Sequence, residues 1–414
     1  MEKDAMAELL PPCSPRLVHN PRVDREGAYG SADRAILSRA AFEEMRAEIA
    51  AWPGYAPTPL RSLKGMARAA GIDRLWYKDE SARFDIGSVK ALGGAYAVLR
   101  LLMREVSARA PGVPVTALDL VVGRYGRLTR AITAVAAGDG GHALSVAWGA
   151  RAFGCGCVVY APAAATEGRR RAIEAHGARL VSVDGTYDDA VRRAAADAEA
   201  QGWMVVSDTS YAGNMDIPRD VMQGYTLMVE EAMSQLPASE RPTHVFIQGG
   251  MGALPAAVAG HLWESWGRGR PRLVVVEPDG ADCLLRSAEA GRPVPAPGAP
   301  ATVMTELACG AVSPLAWAIL ERAADDFLAI PDGAAITTMR RLADGTDGDR
   351  PVVAGESGAA GLAGLLCALC DADTRAALGL WPDARVLVFG TEGASDPAVY
   401  ERLVGRPPAA VAAG

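Results

Sequence analysis

Lysine is nearly missing from this chain. Of its 42 basic residues only Lys3, Lys64, Lys78 and Lys90 are lysines, and the others are arginine. Where positive charge alone matters, arginine serves. A surviving lysine is therefore a candidate for what arginine cannot do, which is to become a neutral amine and form a Schiff base. Long apolar runs are also missing. No window reaches the roughly 18 uninterrupted apolar residues of a membrane span. The leading stretch MEKDAMAELLPPCSPRLVHN has early acids and no apolar core, so it does not read as a signal peptide. There is no basic run, and the net charge of −7 argues against general nucleic-acid binding. Cysteines number seven, odd in so long a chain, which makes a disulfide framework improbable and a cytoplasmic protein the expectation. Cys367 and Cys370 form a CxxC on an apolar helix with no second ligand pair nearby, so no metal site is expected.

What is present reads as an α/β protein with two open, mainly parallel sheets and flanking helices. The 414 residues are 50% hydrophobic and 22% charged, enough for a larger domain with a smaller one inserted. From residue 143 helices and strands alternate: helix ALSVAWGARAFG, strand CGCVVYAP, a helix that Thr166 can cap, strand RLVSVDG, a helix from Thr186, strand WMVVSD. Strand, helix, strand at this spacing is the signature of a parallel sheet. A second run has a helix over 218–234, strand THVFIQ, a glycine-rich turn, a helix over 253–266 and strand RLVVVEP. The chain closes with a helix over 356–370 and strand RVLVFG.

Five segments can carry chemistry. In RFDIGSVKALGGAYA, Ser88 can cap a helix and Lys90 falls in its first turn. The positive end of a helix dipole disfavours an ammonium there, although a solvated lysine at a helix start is the plainer reading. In IQGGMGAL, Gly249, Gly250, Met251 and Gly252 join a strand to a helix, as in a phosphate cradle, although glycine-rich turns also serve packing. The fingerprints GxGxxG and GK[ST] are both missing, which argues against a nucleotide-binding enzyme. An amine and a phosphate cradle together suggest pyridoxal 5'-phosphate. Asp139, Gly140, Gly141 and His142 lead into a helix and can face a cofactor ring, clasp a substrate carboxylate or simply cap the helix. Asp208 ends a strand, where open α/β sheets place ligands, and a turn cap is the alternative. Thr391 ends another strand and can meet a pyridine nitrogen, while Glu356 and Ser357 are cap or cofactor-pocket candidates.

Beyond residue 50, the stretches YAPTPL, YKDESARFDIGSVKALGGAYA, GDGGHALSVAWGA, SDTSYAGNMDIPRDVMQGY, IQGGMGALPAAV, VVAGESGAAGL and TEGASDPAVY occur in that order. So arranged, the chain resembles the fold-type II pyridoxal-phosphate enzymes, the tryptophan synthase β superfamily, and within it the diaminopropionate ammonia-lyases. The resemblance implies a larger cofactor-binding domain over 1–92 and 212–414, with a smaller, mobile domain over 93–211. It implies that Lys90 holds the cofactor and shuttles protons, that residues 249–252 bind phosphate, and that Thr391 or Gly390 meets the ring nitrogen. It also implies that Asp139 is a base for a D-substrate and that Asp208 lies near the substrate. A homodimer acting on a small amino acid follows from the same resemblance. Four positions depart from the pattern. Gly141 stands where the family has asparagine, Ala143 where it has glycine, Tyr211-Ala212 where it has an aromatic-glutamate pair, and Ala394 alters TEGDTDP. The implied activity is α,β-elimination on a β-substituted amino acid such as 2,3-diaminopropionate. The alternatives are β-replacement or another β-elimination in secondary metabolism, and a catalytically altered homologue.

Overall fold

A computed structural model of the chain describes residues 13–112 and 114–413. Its strands are β1 (Arg16–His19), β2 (Leu60–Ser62), β3 (Arg74–Asp79), β4 (Thr133–Ala137), β5 (Gly156–Pro162), β6 (Arg179–Val183), β7 (Met204–Val205), β8 (His244–Gln248), β9 (Arg272–Pro278), β10 (Asp326–Ile330) and β11 (Arg385–Gly390). The chain divides into two compact units. One comprises Met1–Ser38, Pro57–Ala82 and Met228–Gly414, and the other Arg39–Ala56 and Arg83–Leu227. The boundaries implied by the resemblance, at 92 and 212, fall elsewhere. Residue 92 lies inside the helix Lys90–Arg109, which packs along its length on helix Gly141–Phe153 and so stays whole within the smaller unit.

The larger unit holds a seven-stranded sheet in the order β1-β10-β9-β8-β11-β3-β2. Its five central strands run parallel, and β1 and β2 are antiparallel edges. Strand β8 is buried at every position, as expected of an apolar run covered by helices on both faces. The core beneath it joins Phe246, Val274, Val276, Leu328, Val386 and Val388 to helix Ala360–Cys370. The smaller unit holds a parallel four-stranded sheet in the order β6-β5-β4-β7. Its core packs Val135, Val158 and Tyr160 against Ala190, Ala194 and Ala198 of helix Tyr187–Gln201.

Most helix ends are written in the sequence. Thr166 and Thr186 accept backbone N–H bonds from Arg169 and Asp189, and Gly154 closes its helix at φ 74°. Other readings change. Strand WMVVSD shortens to Met204–Val205, and the helix expected from 356 starts at Ala360. The turn before Ala360 leaves Glu356 and Ser357 outside any cap. Among the described residues, no helix is long and apolar enough to cross a membrane.

Candidate active site

In the smaller unit, three of the sequence-selected residues converge. Helix Lys90–Arg109 begins at Lys90, with Val89 at the cap position. Ser88 lies one residue earlier than a cap, yet its hydroxyl still accepts the Lys90 backbone N–H at 3.3 Å. Lys90 Nζ lies 3.7 Å from Asp208 Oδ2, with the lysine side chain 20% exposed. His142 Nδ1 lies 3.9 Å from the same oxygen. His142 Nε2 lies 2.8 Å from the Val206 carbonyl, which only accepts, so Nε2 carries a proton and the ring is fixed in orientation. Burial alone would push the Asp208 carboxyl up, but His142 and Lys90 outweigh it and hold the group below the usual carboxylate range.

Glycines bring these residues close. A Cβ on Gly94 would overlap the Ser145 hydroxyl and stand 3.4 Å from His142 Nδ1. One on Gly149 would come within 2.8 Å of Ala95 Cα, and one on Gly93 within 2.5 Å of the Tyr225 ring. The GG of KALGGAYA therefore serves close helix packing, which sets the distance from Lys90 to its neighbours. The Asp139 carboxylate pairs instead with Arg169 Nη1 at 3.5 Å, a partner on helix Glu167–Ala175 that sequence reading missed. Gly140 caps helix Gly141–Phe153, which places Gly141 and His142 in its first turn.

Lys78 has a different fate. Within the larger unit its side chain is fully buried, and Nζ donates to Thr58 O at 2.6 Å, Glu231 Oε2 at 2.8 Å and Gln235 Oε1 at 3.1 Å. An ammonium has three protons, and these acceptors take all of them. Lys78 is a structural ion, whereas Lys90 lies partly open at the head of a helix.

The larger unit also gathers its own candidates. Gly250 and Gly252 take φ 63° and 104°, which favour glycine, in the turn between β8 and helix Ala253–Trp266. A Cβ on Gly249 would come within 2.6 Å of Glu277 Cγ. Glu277 is fully buried and accepts from Leu284 N at 2.9 Å and Leu285 N at 2.7 Å, yet burial pushes its carboxyl up to about 8. Gln248 joins three motifs. Its Nε2 reaches Gly358 O at 2.9 Å, Phe389 O at 2.9 Å and Thr391 Oγ1 at 2.8 Å. An amide nitrogen can only donate, so Gln248 leaves the Thr391 hydroxyl proton for another acceptor. Ser357 is held in place, its hydroxyl accepting from Glu306 N at 3.1 Å, and Thr305 Oγ1 reaches Glu356 Oε1 at 3.4 Å. Glu277 and Gln248 had no sequence signal beyond their place near strand ends.

These groups fit pyridoxal phosphate. A primary amine at a helix start suits its aldehyde, a glycine turn running into a helix N-terminus suits its phosphate, and a hydroxyl with an uncommitted proton suits its ring nitrogen. Comparison with known proteins agrees. The family model described as pyridoxal-phosphate dependent enzyme matches residues 51–391. A diaminopropionate ammonia-lyase of Escherichia coli strain K12 is 38% identical over 356 residues, covering 85% of this chain and 88% of the relative. One from Salmonella typhimurium is 35% identical over 390 residues, covering 92% and 96%. The crystal structure of the Escherichia coli enzyme in complex with an aminoacrylate-PLP azomethine reaction intermediate superposes with a TM-score of 0.84 at 33% identity, over 94% of this chain and 97% of that one.

Proposed function

Because the chain belongs to the family of pyridoxal-phosphate dependent enzymes, we propose that it is an ammonia-lyase that eliminates the β-amino group of 2,3-diaminopropionate, giving pyruvate and two molecules of ammonia with uptake of water. The contrast between its two motif lysines carries the site assignment: Lys78 is sealed in an ion pair, and Lys90 faces Asp208 at 3.7 Å. The relatives' names and the aminoacrylate complex support the reaction class.

When bound, pyridoxal phosphate supplies the electron sink for charge left at the substrate's Cα. The chain supplies the rest. Lys90 Nζ is the group that would hold the cofactor's aldehyde carbon and would move the Cα proton. Asp208 stays ionised beside it and orients the amine. His142, pinned through Nε2, sets its Nδ1 3.9 Å from the same carboxylate oxygen. The turn at residues 249–252 would hold phosphate through N–H groups other than those of Gly249 and Gly252, which donate to Val276 O and Gly249 O. Thr391 would offer its hydroxyl proton to the ring nitrogen, and the turn at Glu356 and Ser357 would wall the cofactor pocket. Asp139, with Arg169 keeping its carboxylate paired, is the base for a D-substrate, and Gly140 and Gly141 present N–H groups to the substrate carboxylate. Gly141 lacks the amide its relatives use, and this favours a second reading, β-elimination or β-replacement on a different amino acid. We also place the protein in the cytoplasm as a homodimer. None of the seven cysteines is in a disulfide, which suits a reducing compartment, and the dimer follows the family resemblance.

The test is a visible spectrum of the purified protein, then borohydride reduction and peptide mass mapping. Cofactor attached at Lys90, with pyruvate released from 2,3-diaminopropionate, supports the reading. Colourless protein, or attachment at Lys78, overturns it. A panel of β-substituted amino acids, with and without an added nucleophile, separates elimination from replacement.

A further inference from the structure

Away from the Lys90 cluster, the smaller unit holds a cavity of about 290 Å³, lined by Trp52, Asp85, Trp148, Arg151, Phe153 and His176 among others. His142 and Arg151 mark the two ends of helix Gly141–Phe153. Nine residues separate them, which at the α-helical rise is roughly 13 Å. The cavity is therefore distinct from the site described above.

Three observations distinguish it from ordinary core. The first is an aromatic wall. Trp52 packs on Trp148 at 5.7 Å and on Phe153 at 5.4 Å between ring centroids. The second is missing hydrogen bonds. Trp52 is only 3% exposed, yet its indole N–H has no partner, and the buried His176 Nδ1 has none either. Buried indoles normally find an acceptor. The third is charge. Asp85 and Arg151 both line the cavity and both act on His176; Arg151 Nη1 donates to the Ala175 carbonyl at 3.1 Å, and neither side chain is in an ion pair among the described residues. Burial and Arg151 hold His176 below the usual imidazole range, so it is neutral at pH 7 and brings no competing charge.

We propose that this cavity binds a small α-amino acid with an apolar side chain. Arg151 takes its carboxylate, Asp85 takes its ammonium, and the side chain lies against Trp52, Trp148 and Phe153. Both signs of charge beside an apolar wall match a zwitterion and fit neither a plain anion nor a plain cation. The volume lies at the lower end of ligand pockets, which selects something of amino-acid size.

The holoenzyme is titrated with L-leucine and with L-phenylalanine, following tryptophan emission and, in the same sample, the visible absorbance of the cofactor. The proposal expects a saturable emission change with a Kd of about 1 mM or tighter, with the cofactor band unmoved. Arg151→Ala and Asp85→Asn should each weaken binding by roughly tenfold or more, the loss of one charge-assisted contact. Arg151→Ala should keep the wild-type cofactor spectrum and melting temperature, which shows that the fold is intact. No saturable change with either amino acid, a change that moves the cofactor band in step, or affinity unaltered in both variants would overturn the proposal.

Discussion

Replacing Lys78 with methionine separates the two lysines of one motif. In the fold Lys78 is fully buried and Glu231 is 4% exposed, with 2.8 Å between Nζ and Oε2. Removing the ammonium leaves a buried carboxylate. Its other donors include Thr58 N at 3.2 Å and the Thr58 hydroxyl at 3.4 Å. That hydroxyl has one proton and already gives it to Glu80, so it does little to offset the lost ammonium. Breaking a buried pair in this way costs about 3–5 kcal/mol, a large share of the roughly 5–15 kcal/mol that holds a domain together. For a unit of this size each kcal/mol moves Tm by about 2–4 °C, so the fall should be roughly 10 °C. The double variant Lys78→Met with Glu231→Leu removes both charges and should recover most of the loss, because an apolar pair of similar volume is often neutral or better. The assay is thermal unfolding of the single and double variants, with the cofactor absorbance recorded alongside. Lys78→Met protein that folds at low temperature should still bind the cofactor covalently. A single variant that melts with wild type, or a double variant no better than the single, would refute this account of Lys78.

Two further outcomes follow from the Lys90 side. Asp208 titrates lower in the fold than in the unfolded chain, so in the window between those two values the unfolded chain binds more protons. Its contribution to stability is therefore complete above the ordinary carboxylate range and is lost as pH falls through the depressed value. Asp208→Asn should flatten that acid limb in a Tm-against-pH series, and an unchanged slope would contradict the pairing. Gly94→Ala places a methyl group onto Ser145 and should cost about 1–3 kcal/mol by overpacking, with only part returned by the better helix propensity of alanine. Adding Ser145→Ala should restore melting and turnover toward wild type, and a double variant as poor as the single would show that the clash lies elsewhere.

Much of this was legible before any coordinates. Lys90 was visible because glycine and serine precede an apolar helix, and Asp208 because it follows an apolar strand. Residues 249–252 were visible because glycines cluster between two regular elements. What escaped depends on tertiary placement. Arg169 sits 30 residues past Asp139 on a helix whose surface is rich in arginine, and nothing local marks it as the partner. Gln248 reads as the last polar residue of a strand, yet it ties residues 358, 389 and 391 together. Glu277 sits in the apolar strand RLVVVEP, and its role appears only once helix Cys283–Ala290 brings two N–H groups to it. Strand β4 hid because TAVAA is mostly alanine, a weak strand former. Strand β10, DFLAI, is apolar enough, but it lay beyond a proline-rich loop where the alternating pattern had lapsed.

The close helix packing at Gly93, Gly94, Gly149 and Gly224 has a practical consequence for anyone wishing to change what this protein acts on. A Cβ at each of these positions would strike backbone or a packed side chain, so variation there will cost folded protein before it alters selectivity. A combinatorial library should leave those four glycines and Lys90 untouched. Its diversity belongs at 141, 143, 211, 212 and 394, the positions at which the family resemblance marks this chain's departures. Tyr211, 51% exposed, is the most permissive starting position among them.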